Sequence, residues 1–190
     1  MKTMQVIPLT LLFALAASAQ SIKIGKCPKP AVQANFDATR YIGKWYGIHK
    51  LPTPFQKGEC SSATYTLKSE GVIGVLNREL LNDGTIGSAV GKATVKDPAE
   101  PAKLEVVFNE TSPPGPYWVL STDYDNYTLV YGCTDLGLTR KEYAWIMSRE
   151  PTLHNEILED LHSILTSIGV KVDKMIYTNQ DDTYCAPIRA

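Results

Sequence analysis

The chain has 190 residues, 19 of them basic and 20 acidic, is 44% hydrophobic, and carries no block of like charges. A near-neutral balance without a basic stripe excludes an electrostatic footprint for nucleic acid and strong adsorption to anionic membranes. The length fits one domain.

The first segment stands apart from the fold. Lys2 supplies a positive start, "VIPLTLLFALA" (6–16) a short apolar run, and "ASA" (17–19) small residues suited to cleavage, so residues 1–19 are predicted to be a secretory signal peptide. The run is too short for a membrane span, and no later stretch is apolar enough for one. The expectation is a secreted, extracellular domain over residues 20–190, with 18 basic and 20 acidic residues and no transmembrane segment. Its four cysteines, Cys27, Cys60, Cys133 and Cys185, predict two disulfides, with three pairings open. They are widely spaced with no C-x-x-C, which argues against a zinc or thioredoxin-like site.

From Gly43 onward, β-prone runs alternate with turn chemistry. The runs are 44–51, 61–68, 72–81, 87–95, 103–108, 116–122, 127–133 and 142–148. Ser69-Glu70-Gly71, Asn82-Asp83-Gly84 and Asp125-Asn126 mark turns between them. One segment has helical period instead. In residues 152–169, Leu153, Ile157, Leu161, Ile164, Leu165 and Ile168 form an apolar stripe, with Pro151 before it and Gly169 as a stop. A short strand at 174–178 precedes the tail that carries Cys185. Eight strands in series with short connections predict an all-β fold, an eight-stranded antiparallel up-and-down barrel with one C-terminal helix packed outside. A β-sandwich is the structural competitor. Such a barrel has room inside for side chains or one small ligand.

Catalytic chemistry is sparse. His154 and His162 stand two helical turns apart and His49 has no carboxylate or cysteine near it in sequence, so no metal site is expected. No G-x-S-x-G is present. Gly71 and Gly74 sit in a hairpin and open no phosphate-binding helix. The reading is a non-enzyme without a cofactor. Leu104, Val106 and Phe108 alternate with Glu105 as in a half-buried strand, whereas "YWVL" and "YTLVYG" are apolar at nearly every position. One face of these can meet the helix and the other the interior, where Gly74, Gly87, Gly91 and Ala63 stand in place of larger aliphatics. That pattern is compatible with a cavity.

Three separated motifs now come together. Gly43-Lys44-Trp45 on the first run, Thr122-Asp123-Tyr124 after the sixth and Arg149 after the eighth resemble the signature regions of the lipocalins. Long stretches such as "CPKPAVQANFDATRYIGKWYGIHKLPTPFQKGEC" and "PYWVLSTDYDNYTLVYGC" extend the resemblance over nearly the whole mature chain. It implies that Trp45 plugs the closed end of the barrel, that Arg149 packs across its ring, and that Gly43 admits a short helical turn near "DATRYIG" at close range. It also implies the pairings Cys27–Cys133 and Cys60–Cys185.

For ligand contact the resemblance points to Tyr65, Asn77, Phe108 and Trp145. Strand alternation adds Leu67, Val75, Val106, Tyr143 and Met147. Three positions depart from the related pattern. Leu81 replaces a basic residue near the entrance, leaving a ligand carboxylate without that partner. Asn109-Glu110-Thr111 replaces bulky apolar residues at a loop tip, which weakens docking to lipoprotein or membrane there. Asp135 replaces a cysteine, so no thiol remains for an intermolecular bridge. Asn109 and Asn126 open N-x-[ST] sequons and are candidate glycosylation sites. The function implied is carriage of a small hydrophobic ligand such as a fatty acid, steroid or related lipid, with no lipoprotein or receptor assigned. The alternatives are a carrier for a bilin, retinoid or carotenoid pigment and an enzyme like the prostaglandin synthase of the family, which requires a free cysteine in the cavity.

Overall fold

The computed structural model describes residues 22–109 and 113–189. The predicted signal peptide, together with Glu110 and Thr111, lies outside the described residues.

Eight consecutive antiparallel strands form the barrel: β2 (Gly43–Lys50), β3 (Glu59–Ser69), β4 (Val72–Leu80), β5 (Ile86–Val95), β6 (Lys103–Val107), β7 (Gly115–Thr122), β8 (Tyr127–Asp135) and β9 (Thr139–Ser148). Each pairs with the next, and β9 returns to pair with β2, so the sheet closes. This closure decides for the barrel over the sandwich. At the turn after β4, Asp83 Oδ1 accepts from the Thr85 N–H at 2.9 Å and Gly84 takes φ +82°, the left-handed geometry that the Asn-Asp-Gly run predicts.

Two strands extend the barrel wall. β1 (Ile22–Ile24) pairs with β9, and β10 (Ile176–Tyr177) pairs with β2. β1 is held by charge as well as by the ladder. Glu142 on β9 is fully buried, pairs with Lys23 and Arg140, and accepts from the Tyr131 hydroxyl at 3.1 Å. Its buried carboxylate is thus compensated by two cations and a hydroxyl donor.

Among the described residues three α-helices decorate the barrel. Helix α1 (Ala38–Tyr41) crosses the end near Gly43, capped by Asp37, whose Oδ1 accepts from the Thr39 N–H at 2.8 Å. Helix α2 (Asn155–Ser167) packs its predicted stripe on the outer wall: Leu161 and Leu165 are buried against Ile48, Leu129, Tyr131 and Ile146, with Leu153, Ile157, Ile164 and Ile168 around them. It is shorter than the predicted span at both ends. Gly169, at φ +82°, stops it as expected. Helix α3 (Asp182–Arg189) was not foreseen; it occupies the tail and carries Cys185.

Cys27 is bonded to Cys133 and Cys60 to Cys185. The first bridge ties the N-terminal arm to β8 and the second ties α3 to the start of β3. Asp135, two residues beyond Cys133, accepts the Cys27 N–H at 2.8 Å, so this substituted position anchors the same arm.

Candidate ligand-binding cavity

The closed end is built around Trp45, which is fully buried. Its indole N–H donates to the Tyr41 carbonyl at 2.9 Å, and the Arg149 guanidinium carbon lies 3.7 Å from the ring centre. Arg149 also donates to the carbonyls of Tyr124 (2.9 Å), Lys44 (3.0 Å) and Arg40 (3.0 Å). Gly43 is at φ +99°, and a Cβ there would stand 3.1 Å from Arg149 Nη1. The glycine therefore serves both the backbone turn and the seating of the arginine. In the second motif Asp123 Oδ1 accepts the N–H groups of Asn126 (2.8 Å) and Tyr127 (2.9 Å), which shapes the β7–β8 turn. Burial acts to raise the Asp123 pKa, but these donors outweigh it and lower the pKa.

Beside Trp45, whose ring centre lies 5.4 Å from that of Tyr41, runs a hydroxyl chain. Tyr65 and Tyr117 are 2.7 Å apart, Tyr117 and Tyr41 2.8 Å, and Tyr41 and Thr128 3.1 Å, oxygen to oxygen. Burial pushes the Tyr41 pKa up to about 12 and raises those of Tyr65 and Tyr117 well above their usual range. All three phenols therefore stay neutral at physiological pH.

Over this floor opens a cavity of about 250 Å³, just below the roughly 300–1,000 Å³ typical of ligand pockets. Tyr65 on β3, Val75 and Asn77 on β4, Val106 on β6, Phe108 just beyond it, and Tyr143, Trp145 and Met147 on β9 all line it. Leu67 does not. It lies further along β3 toward the closed end, below the Tyr65 level, and remains 46% exposed. Alternation gave it the inward parity but not the depth.

The small residues also divide. Ala63 lines the cavity. Gly91 pairs with Val75 and so faces inward; a Cβ there would meet the Val107 carbonyl at 2.5 Å and the Phe108 ring at 2.8 Å, so the glycine makes room for Phe108. Gly74 faces out, where a Cβ would meet Lys68 and Thr66 at 2.6 and 2.7 Å, so it is not a cavity residue.

At the mouth, Trp145 donates its indole N–H to Gln56 Oε1 at 2.8 Å and stacks on Tyr143, with ring centres 5.7 Å apart. Phe55 meets Tyr143 edge-on at 5.4 Å. Lys50 lines the same corner and donates to the Gln56 carbonyl at 3.0 Å. Sequence reasoning missed it.

It also missed that His49 and His162 meet outside the barrel, their ring centres 5.3 Å apart, with Tyr177 against His49 at 5.8 Å. Burial lowers the pKa of each, and His162 lowers that of His49 further. Among the described residues no cluster of three or more histidine, cysteine or acidic side chains gathers to hold a metal.

Comparison with known proteins agrees with this geometry. The pattern of the lipocalin-like domain matches residues 36–180. The chain is similar to apolipoprotein D of Macaca fascicularis, 49% identical over 168 residues that cover 88% of this chain and 89% of that protein. It is 48% identical to apolipoprotein D of Mus musculus over 165 residues, 86% and 87% of the two chains. Among solved structures, lobster apocrustacyanin A1 superposes with a TM-score of 0.77 at 23% identity, covering 90% of this chain and 98% of that one. The last likeness concerns the fold alone.

Proposed function

Because the chain belongs to the lipocalin family, we propose that it is a secreted carrier holding one small hydrophobic molecule, a fatty acid, steroid or related lipid, in its barrel. The observation that carries this reading is the cavity itself: a pocket of about 250 Å³ between an aromatic mouth and a hydroxyl-bearing floor, in a barrel whose far end is plugged by Trp45. Val75, Val106, Met147, Phe108 and Trp145 supply apolar surface, and Tyr65 and Asn77 supply polar contacts that orient a ligand without demanding one head group.

Carriage is favoured over catalysis. The prostaglandin-synthase-like alternative requires a thiol in the cavity, and all four cysteines are bonded to one another. No helix among the described residues is long and apolar enough to cross a membrane.

Mass spectrometry of the solvent extract from natively secreted protein tests the proposal. A stoichiometric lipid or steroid is expected. A visible absorption band from a bound chromophore would replace the lipid by a pigment. An empty extract, combined with no binding of fatty acid, steroid, retinoid or bilin to the delipidated protein, would overturn the carrier reading.

A further inference from the structure

The strongest unexplained group in the barrel is a buried cation. Lys50 is only 4% exposed. A bulge between Gly47 and His49 puts it opposite Trp145, so both side chains leave the sheet on the cavity side. Its ammonium has three N–H donors, and the one protein hydrogen bond made by its Nζ among the described residues goes to the Gln56 carbonyl. No carboxylate lies within ion-pair distance of it among those residues. The two acids that act on it from farther away are otherwise engaged: Glu79 accepts from the Gly58 N–H at 2.7 Å and Glu59 from the Asn179 N–H at 2.6 Å.

A buried charge without a close counter-ion is costly, and an incoming anion relieves that cost. Burial lowers the Lys50 pKa more than Glu79 and Glu59 restore it, so the ammonium is not fully compensated by the protein. Gln56 adds donors at the same corner. Its Oε1 is taken by the Trp145 indole, and its amide N–H₂ has no protein acceptor among the described residues.

We infer that Lys50, assisted by the Gln56 amide, holds the carboxylate of the ligand at the mouth, so that the cavity selects a long-chain carboxylic acid over a neutral lipid of the same chain length. The inference rests on the carrier reading and narrows it. The head group sits on the cavity side of Lys50, away from Glu59 and Glu79, and the chain runs past Trp145 and Met147 toward the Tyr65 floor.

Calorimetric titration of the delipidated full-length mature protein with oleic acid and with oleyl alcohol at neutral pH tests this. The acid is expected to bind roughly tenfold more tightly or better, given one desolvated charge pair. In Lys50→Met, which keeps the length of the stem, that preference should vanish through weaker acid binding, with the alcohol unaffected. Lys50→Arg should retain the preference. Equal affinity for acid and alcohol in the wild type, or an unchanged preference in Lys50→Met, overturns the inference while leaving the carrier reading intact. Binding of neither probe overturns both. Should Lys50→Met fail to fold, the wild-type ratio and the Lys50→Arg result still decide.

Discussion

The Arg149 guanidinium lies over Trp45, 3.7 Å from the centre of its ring, and donates to four carbonyls around it. The pair is sealed from the ligand, since Trp45 is fully buried and does not line the cavity. Arg149→Ala should therefore lower stability by about 1–3 kcal/mol, through lost stacking, stem packing and unpaired carbonyls, with the order of ligand preference unchanged. Denaturant midpoints and competition binding measure the two effects. Full stability with lost binding would show that the motif belongs to the site.

Stability should fall in mild acid because of the His49–His162 pair. Burial holds both pKa values below the ordinary histidine value of 6.5, so the unfolded chain takes up protons that the folded one resists. Their contribution is complete above 6.5 and is lost as pH falls through that value toward the lower folded pKa values. Both rings are only half-buried, so the effect is modest and salt-sensitive. Melting temperatures between pH 7.5 and 5.5 should decline in the wild type and decline less in His49→Asn combined with His162→Gln. Parallel slopes would remove the pair from the account.

The histidine pair and Lys50 also mark where reading the chain stopped short. Turn chemistry, the amphipathic stripe on α2 and the three separated motifs lead to a closed barrel with Trp45 beneath Arg149, because each is local or rests on strong periodicity. Alternation counted from the inward Trp45 puts His49 inside and Lys50 outside. The bulge between Gly47 and His49 inserts one residue and reverses both. Nothing in "WYGIHKL" announces that extra residue except Gly47 itself. Leu67 fails for another reason, since period-2 reasoning assigns a face and not a height along the barrel. Helix α3 was hidden because Pro187 and a short, polar sequence obscure its period.

Glycosylation should occur at one sequon at least, with Asn109 favoured by its longer, proline-rich loop. Asn109 and Asn126 are both exposed, as an acceptor must be. In the fold Asn126 Nδ2 donates to Asp123 Oδ2 at 2.7 Å, an engagement that occupies this acceptor amide once the turn has formed. Protein secreted from eukaryotic cells should lose mass on glycan removal, and Asn109→Gln should reproduce most of that loss. An unchanged mass refutes the prediction.

Trp145 should report ligand binding alone among the three tryptophans. Trp45 is buried beneath the cavity, Trp118 packs with Tyr131 on the outer wall under α2, and Trp145 lines the cavity at the mouth. Its stack on Tyr143 and its hydrogen bond to Gln56 fix the indole at the wall, so an acyl chain or a flat ring entering the barrel must cover it. Titrating delipidated protein with a fatty acid or steroid should change intrinsic tryptophan fluorescence, and Trp145→Phe should abolish most of that change while circular dichroism shows the fold retained. Replacing Trp118 should leave the change in place, because the barrel wall separates it from the ligand. Survival of the signal in Trp145→Phe and its loss on replacing Trp118 would put the ligand outside the barrel, against the α2 face, and remove the cavity residues from the binding site together.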